Sequence, residues 1–373
     1  MRKYLLENVL PFWTKDAIDW KNGGIYTQIS KEGEIYGKEK SVWFQGRALY
    51  IFSLTYNDVE KDEKFLDISK NLFEFLTKIT EKGGRLPFTV TEDGKPIQKR
   101  RYYFSETFAA IGCAEYYLAS GNENAKQMAE MYFDVAYNLY TGKTKSTPKF
   151  ESENYQYKGL SPSMIMLSTA QVLRKINKEK YDKIAKNTIP DILMHLTKYG
   201  LLENIGKNGE FTDTPTGRLV NPGHSLEAAW FLMAEGIYQN DKSLICKAKE
   251  IIDISMRLGL DKGGIISFCD CKGLPATSLE WDMKLWWPQC EAIIANRLCY
   301  NLTGEKKYLD WYEGIKEYAF SHFEDKQYGE WYGYLHYDGT VANTLKGNIF
   351  KGPFHLPRML IILDKLDKNQ SII

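Results

Sequence analysis

Two histidines occupy matching places in this chain. In "NPGHSLEAAWFL" His224 follows a Pro-Gly break and opens an apolar helical stretch, with Glu227 one turn further on. In "KGPFHLPRML" His355 follows a Gly-Pro break and opens another, with Arg358 one turn further on. Only five histidines are present, and the repeated placement sets these two apart from a lone structural imidazole. An ordinary pKa of about 6.5 lets such a group take or give a proton near neutrality, so the pair points to acid–base chemistry. His195, His322 and His336 fall among outer-helix or hairpin residues and read as structural.

Other groups that are costly to bury without purpose lie on similar apolar stretches: Arg47 in "VWFQGRALY", Glu106 in "FSETFAAIG" and Glu291 in "WWPQCEAIIA". Arg47 either stabilises developing negative charge or pairs with a buried glutamate, for which Glu227 and Glu291 are candidates. A metal is not expected, because two remote histidines and scattered carboxylates lack the spacing of a ligand set. Cys269 and Cys271 form a lone C-x-C with no second pair, so a zinc site is not expected either. "NGGIY" and "KGGR" fit turn punctuation better than a phosphate-cradling loop.

The elements that must position these residues show as a repeat. Gly24, Gly84, Gly142, Gly200, Gly264 and Gly329 anchor six similar stretches, at intervals of 60, 58, 58, 64 and 65 residues. Each joins a glycine stop to a short apolar strand and a Gly-containing turn; the member from Gly142, "TGKTKSTPKF" with its flanking Thr141, is the weakest. Two helical stretches lie between successive anchors. The first is apolar nearly all round, as in "SVWFQGRALYIFSLTYN", and predicts a buried helix. The second is amphipathic: Phe65, Ile68, Leu72, Phe75 and Leu76 recur at three- and four-residue steps, with charges opposite. Twelve helices in six hairpins predict an all-α fold, an (α/α)6 barrel or six-hairpin toroid, with short β-hairpins at one end. A closed ring is preferred to an open solenoid because polar residues recur at the starts of the inner helices, as a central pocket requires. Six units account for residues 1–373, a single domain.

The bulk properties restrict the partners. Lys plus Arg number 49 and Asp plus Glu 48, a balance that gives no reason to expect nucleic acid or an anionic membrane. Glu7 and Asn8 interrupt the apolar run behind the basic N-terminus before a signal core forms, and no stretch reaches the ~20 apolar residues of a membrane span. The expected location is a reducing cytoplasm. The 14% aromatic content fills a core or, beside polar groups in a pocket, offers flat faces to sugar rings.

"VWFQGRALY", "FSETFAAIG", "NPGHSLEAAWFL", "LEWDMKLWWPQCEAIIA", "GEWYGYLHYDGTVANTLKG" and "FKGPFHLPRML", in this order from about Phe12 to Leu363, resemble the N-acylglucosamine 2-epimerase family. The resemblance implies the same six-hairpin barrel and reversible inversion at C2 of N-acetylglucosamine and N-acetylmannosamine. It carries the family's essential histidines to His224 and His355, its arginine to Arg47 and a functional glutamate to Glu291. Glu227 matches a glutamate that supports the neighbouring histidine in related cellobiose epimerases. On this reading Glu227 orients His224, Glu291 binds a sugar hydroxyl or assists ring opening, and Trp43, Gln45, Glu106, Trp286, Trp287 and Arg358 contact the sugar. The partner is a small sugar and no cofactor is required. A homodimer and allosteric activation by ATP are further implications of the family.

Two departures separate the chain from cellobiose epimerases: Met164 and Met166 replace a histidine pair, and "FKGPFH" replaces an aromatic-rich W-K-C-P-Y-H stretch. Gln289 stands where mammalian members have histidine. Competing activities are 2-epimerisation of mannose or glucose and aldose–ketose isomerisation on the same scaffold. A glycoside hydrolase or lyase would use Glu227 and Glu291 but leave two histidines without a role. A non-enzymatic binding protein is the remaining alternative.

Overall fold

The computed structural model describes residues 1–99, 102–146 and 153–373. Among the described residues twelve helices alternate between an outer and an inner layer. The outer helices are α1 (residues 2–15, with a π-helical turn over Leu5–Val9), α3 (Glu63–Ile79), α5 (Glu123–Tyr140), α7 (Lys178–Leu193), α9 (Lys242–Gly259) and α11 (Lys306–His322). The inner helices are α2 (Val42–Asp58), α4 (Phe104–Ser120), α6 (Ser161–Leu173), α8 (Pro222–Gln239), α10 (Trp286–Thr303) and α12 (His355–Asp367). Each inner helix packs on the next around the ring, and α12 closes on α2. The sixth outer helix is α1, which packs on α12, so the two chain ends complete the sixth pair.

Local chemistry sets the alternation. Inner helices such as α2 bury most of their side chains through the first three turns, whereas α3 buries one face through Phe65, Ile68, Leu72, Phe75 and Leu76. Short turns lead from inner to outer helices, and Asp62, Asn122, Asn177 and Asp241 cap the outer helices that follow by accepting main-chain N–H bonds. Each such cap contributes about 1 kcal/mol. Gly46 of α2 and Gly112 of α4 bring two inner helices into main-chain contact. A Cβ on Gly46 would lie 2.6 Å from the Phe108 carbonyl carbon, and one on Gly112 would lie 2.7 Å from the Gly46 oxygen. This close approach sets Arg47 against Phe108, its guanidinium carbon 4.1 Å from the ring centre.

The long connections run from outer to inner helices and hold the short strands. Neighbouring units pair: Lys40–Ser41 with Thr89–Val90, Tyr157–Gly159 with Asn204–Gly206, Leu219–Val220 with Cys269–Asp270, and Lys284–Leu285 with Tyr334–Leu335. An isolated bridge between Ile29 and Gly347 joins the first unit to the last. The hairpins therefore form a linked rim at one end of the barrel. Part of the weakest hairpin signal, residues 147–150, lies outside the described residues. No helix among the described residues is long and apolar enough to cross a membrane.

Polar side chains in the first turns of the inner helices fasten this rim. Gln45 accepts from Ile25 N at 2.8 Å and donates to Ile25 O at 2.8 Å; Gln289 makes the same pair with Ile265 at 2.7 and 2.8 Å. Glu106 accepts from Leu86 N at 3.0 Å and from Arg85 Nε at 2.6 Å. Gln45 and Glu106, expected to contact substrate, are therefore fasteners: they face the hairpin preceding their helix and do not line the central cavity. Gln289, the departure from mammalian members, has the same structural task.

Candidate active site

A cavity of about 480 Å³ opens among the inner-helix N-termini, within the size range of small-ligand sites. His224, His355, Arg47, Glu227, Arg358, Trp43, Trp286 and Trp287 all line it. Trp287 touches both imidazoles, its ring centre 5.0 Å from that of His224 and 5.7 Å from that of His355. The two histidines, 131 positions apart in sequence, thus share one chamber.

His224 is placed by its helix start: Pro222 occupies the first turn, and the Asn221 side chain accepts from His224 N at 3.1 Å. Its ring is held from outside the helix. Nδ1 lies 2.9 Å from Glu203 Oε1, on the strand Asn204–Gly206's N-terminal flank. Glu227 does not orient His224 as expected; its Oε1 accepts from Arg358 Nη2 at 2.5 Å. Burial alone would lower the His224 pKa, but Glu203, then Glu227 and Glu291, outweigh it and raise the pKa above its ordinary value.

His355 has the opposite environment. Its Nδ1 lies 2.7 Å from Glu291 Oε1, which also accepts from Arg358 Nη2 at 2.7 Å, while Trp230 Nε1 donates to Glu291 Oε2 at 2.8 Å. Glu291 is fully buried and does not line the cavity, so it holds His355 and Arg358 rather than a sugar hydroxyl. Burial and the adjacent Arg358 charge hold the His355 pKa well below its usual range, with Arg47 and His224 acting in the same direction. The two imidazoles are thereby biased in opposite directions, His224 towards its protonated form and His355 towards its neutral form, the kind of split expected of an acid and a base in one site. With both Nδ1 atoms facing carboxylates, Nε2 of each ring is left for chemistry.

Arg47 donates to Phe350 O at 3.1 Å from Nη1. Burial, partly offset by Glu227, brings its pKa down to about 9, so it stays charged at neutral pH. Among the described residues four cavity-lining side chains keep a buried polar atom without a protein partner: Arg47 Nε, Trp286 Nε1, Ser267 Oγ and Arg358 Nε. Such atoms suit the oxygens of a bound polar ligand. Glu227, Glu291 and His355 bring ligand-type atoms within 4.8 Å of one another, a cluster that sequence spacing does not reveal. The Arg358 guanidinium supplies its positive charge.

The N-acylglucosamine 2-epimerase (GlcNAc 2-epimerase) family profile matches residues 24–352. N-acylglucosamine 2-epimerase from Rattus norvegicus is 32% identical over 380 residues, covering 97% of this chain and 90% of its own. The chain belongs to the N-acylglucosamine 2-epimerase family. The Homo sapiens N-acylglucosamine 2-epimerase is also 32% identical, over 97% of this chain and 88% of its own. Cellobiose 2-epimerase from Ruminococcus albus is more distant, at 24% over 96% of each chain. Among solved structures, cellobiose 2-epimerase from Bacillus thermoamylovorans superposes with a TM-score of 0.85 at 21% identity over 98% of each chain. A D-mannose isomerase superposes with a TM-score of 0.85 at 18% identity, over 98% of this chain and 97% of its own. These structural likenesses establish the (α/α)6 barrel as the fold of this family member.

Glu203 and Ser267 are site residues that the sequence reading missed. Glu203 sits just before the strand Asn204–Gly206, 21 residues before His224, where "LLENIG" reads only as repeat punctuation. Replacing it tests its part in the site. Glu203→Gln removes the main group that raises the His224 pKa, so the basic limb of the kcat/KM profile moves to lower pH. The charge-assisted hydrogen bond lost is worth about 1.5–3 kcal/mol, and activity above the new limb falls by about tenfold or more. An unmoved basic limb in an otherwise folded variant would refute this role.

Proposed function

We propose that this epimerase-family chain interconverts N-acetylglucosamine and N-acetylmannosamine by a two-base inversion at C2. The opposite electrostatic settings of two imidazoles in one cavity carry this reading. In the open-chain sugar, the C1 aldehyde acidifies the C2 proton. Neutral His355 takes that proton through Nε2, and the electron pair left at C2 forms an enediolate with negative charge on O1. Arg47 holds this oxygen; a preorganised donor of this kind is worth about 3–4 kcal/mol in the transition state. The His224 imidazolium returns a proton to the opposite face of C2, and the C1 carbonyl re-forms.

The turnover leaves His355 protonated and His224 neutral. Exchange with water then restores the resting arrangement, downhill because Glu203 favours the proton on His224 and Arg358 disfavours it on His355. The reverse reaction uses the swapped state directly. Both states carry one proton on the pair, so the two directions share one bell-shaped pH profile whose limbs belong to the pair as a whole. Trp287, beside both imidazoles, provides a flat face for the substrate.

A time course in deuterated water tests the mechanism. At early conversion the product should carry one solvent deuteron at C2, the remaining substrate should keep its proton, and no ketose should form. Product retaining the original C2 proton would rule out the two-base route. A ketose would indicate proton transfer from C2 to C1, the isomerase alternative.

A further inference from the structure

We infer that the cavity accepts N-acyl groups longer than acetyl, in an apolar shaft beneath the two imidazoles. This rests on the C2 inversion proposed above, which places the acylamino carbon at the top of that shaft. Five inner helices line the cavity at two levels seven residues apart: Arg47 and Leu54, Phe104 and Ile111, Met164 and Gln171, His224 and Phe231, His355 and Ile362. Seven helical residues rise about 10 Å. The cavity therefore continues well past the catalytic level, beyond the reach of an acetyl group.

The lower level suits alkyl groups and no hydroxylated ring. Leu54, Ile111, Phe231 and Ile362 are apolar. The Gln171 amide is already committed, donating to Phe231 O at 2.9 Å and to Glu235 Oε2 at 3.0 Å. Lys175 and Lys365, about one turn deeper, are neutralised by Glu115 at 2.5 Å and Asp58 at 2.6 Å. Ile372 and Ile373, which follow α12, also line the cavity. Between the two levels the lining also holds Ser168, whose hydroxyl donates to Ile165 O at 3.2 Å, and Tyr50. At the lower level a sugar hydroxyl would lose water for apolar neighbours, whereas each methylene that reaches it gains up to about fourfold in binding.

The test is kcat/KM measured on N-acetyl-, N-propanoyl-, N-butanoyl- and N-hexanoylmannosamine. Wild-type values should hold or rise along the series, by up to about fourfold per methylene. Ile111→Phe, which fills the shaft without touching a catalytic group, should keep the N-acetyl rate and lose the longest substrate by about tenfold or more. Deleting Ile372 and Ile373 should extend the series to longer chains. A tenfold fall at N-propanoyl with the N-acetyl rate intact would overturn the inference, as would an Ile111→Phe variant with an unchanged series. No wild-type turnover of N-acetylmannosamine would count against C2 inversion itself, and this inference would fall with it.

Discussion

His355→Ala is expected to lower kcat for epimerisation by about 10²- to 10⁴-fold while leaving the barrel folded. The side chain is buried, but truncation leaves no unpaired charge, because Glu291 keeps its bonds to Arg358 and Trp230. The informative readout is exchange rather than rate alone. With one base gone, deuterium should still enter C2 of the epimer whose proton faces His224, but no inversion should follow. His224→Ala should show the complementary pattern, exchanging only the other epimer. NMR of each pure epimer in deuterated water reads both. Near-wild-type inversion in either variant, or the same exchange pattern in both, would remove the two-base assignment.

Arg358→Met should have the second largest effect, on both stability and pH dependence. Arg358 Nη2 bridges Glu227 and Glu291, and all three side chains are buried. Methionine preserves much of the volume but leaves two buried carboxylates without their countercharge. Breaking a buried ion pair from one side typically costs about 3–5 kcal/mol, visible as a lower melting temperature. Removing Arg358 also removes a main influence holding the His355 pKa down, while Glu227 continues to raise it. The His355 pKa must therefore rise, and the acid limb of activity moves to higher pH. Arg358→Lys, which keeps the charge, should restore part of the stability and move that limb back. Were Arg358 only a packing element, methionine would be tolerated and the limb would stay in place.

The misread residues explain why the site was only partly legible. Gln45 and Arg47 are both polar, both near the start of α2 and only two residues apart. On a helix that places them about 200° apart, so one faces the preceding hairpin and the other the barrel axis. Their types and spacing do not say which is which. Glu227 lies one turn after His224, a separation at which helical side chains commonly meet. Yet Arg358 reaches it from a helix 131 positions away and takes its carboxylate. Glu203 was invisible for the converse reason: its partner is distant in sequence, and nothing local marks it.

The repeat, the helix alternation and the two histidines at equivalent helix starts are all readable from the residues alone. Glycine turns, helix breaks and apolar periodicity are local properties, recorded within a few residues of where they act. Which carboxylate serves which imidazole, and hence which ring is biased towards the proton, follows from tertiary packing alone. Those pairings depend on side chains from separate hairpins meeting in a low-dielectric interior, where a difference of a few ångströms sets the charge state.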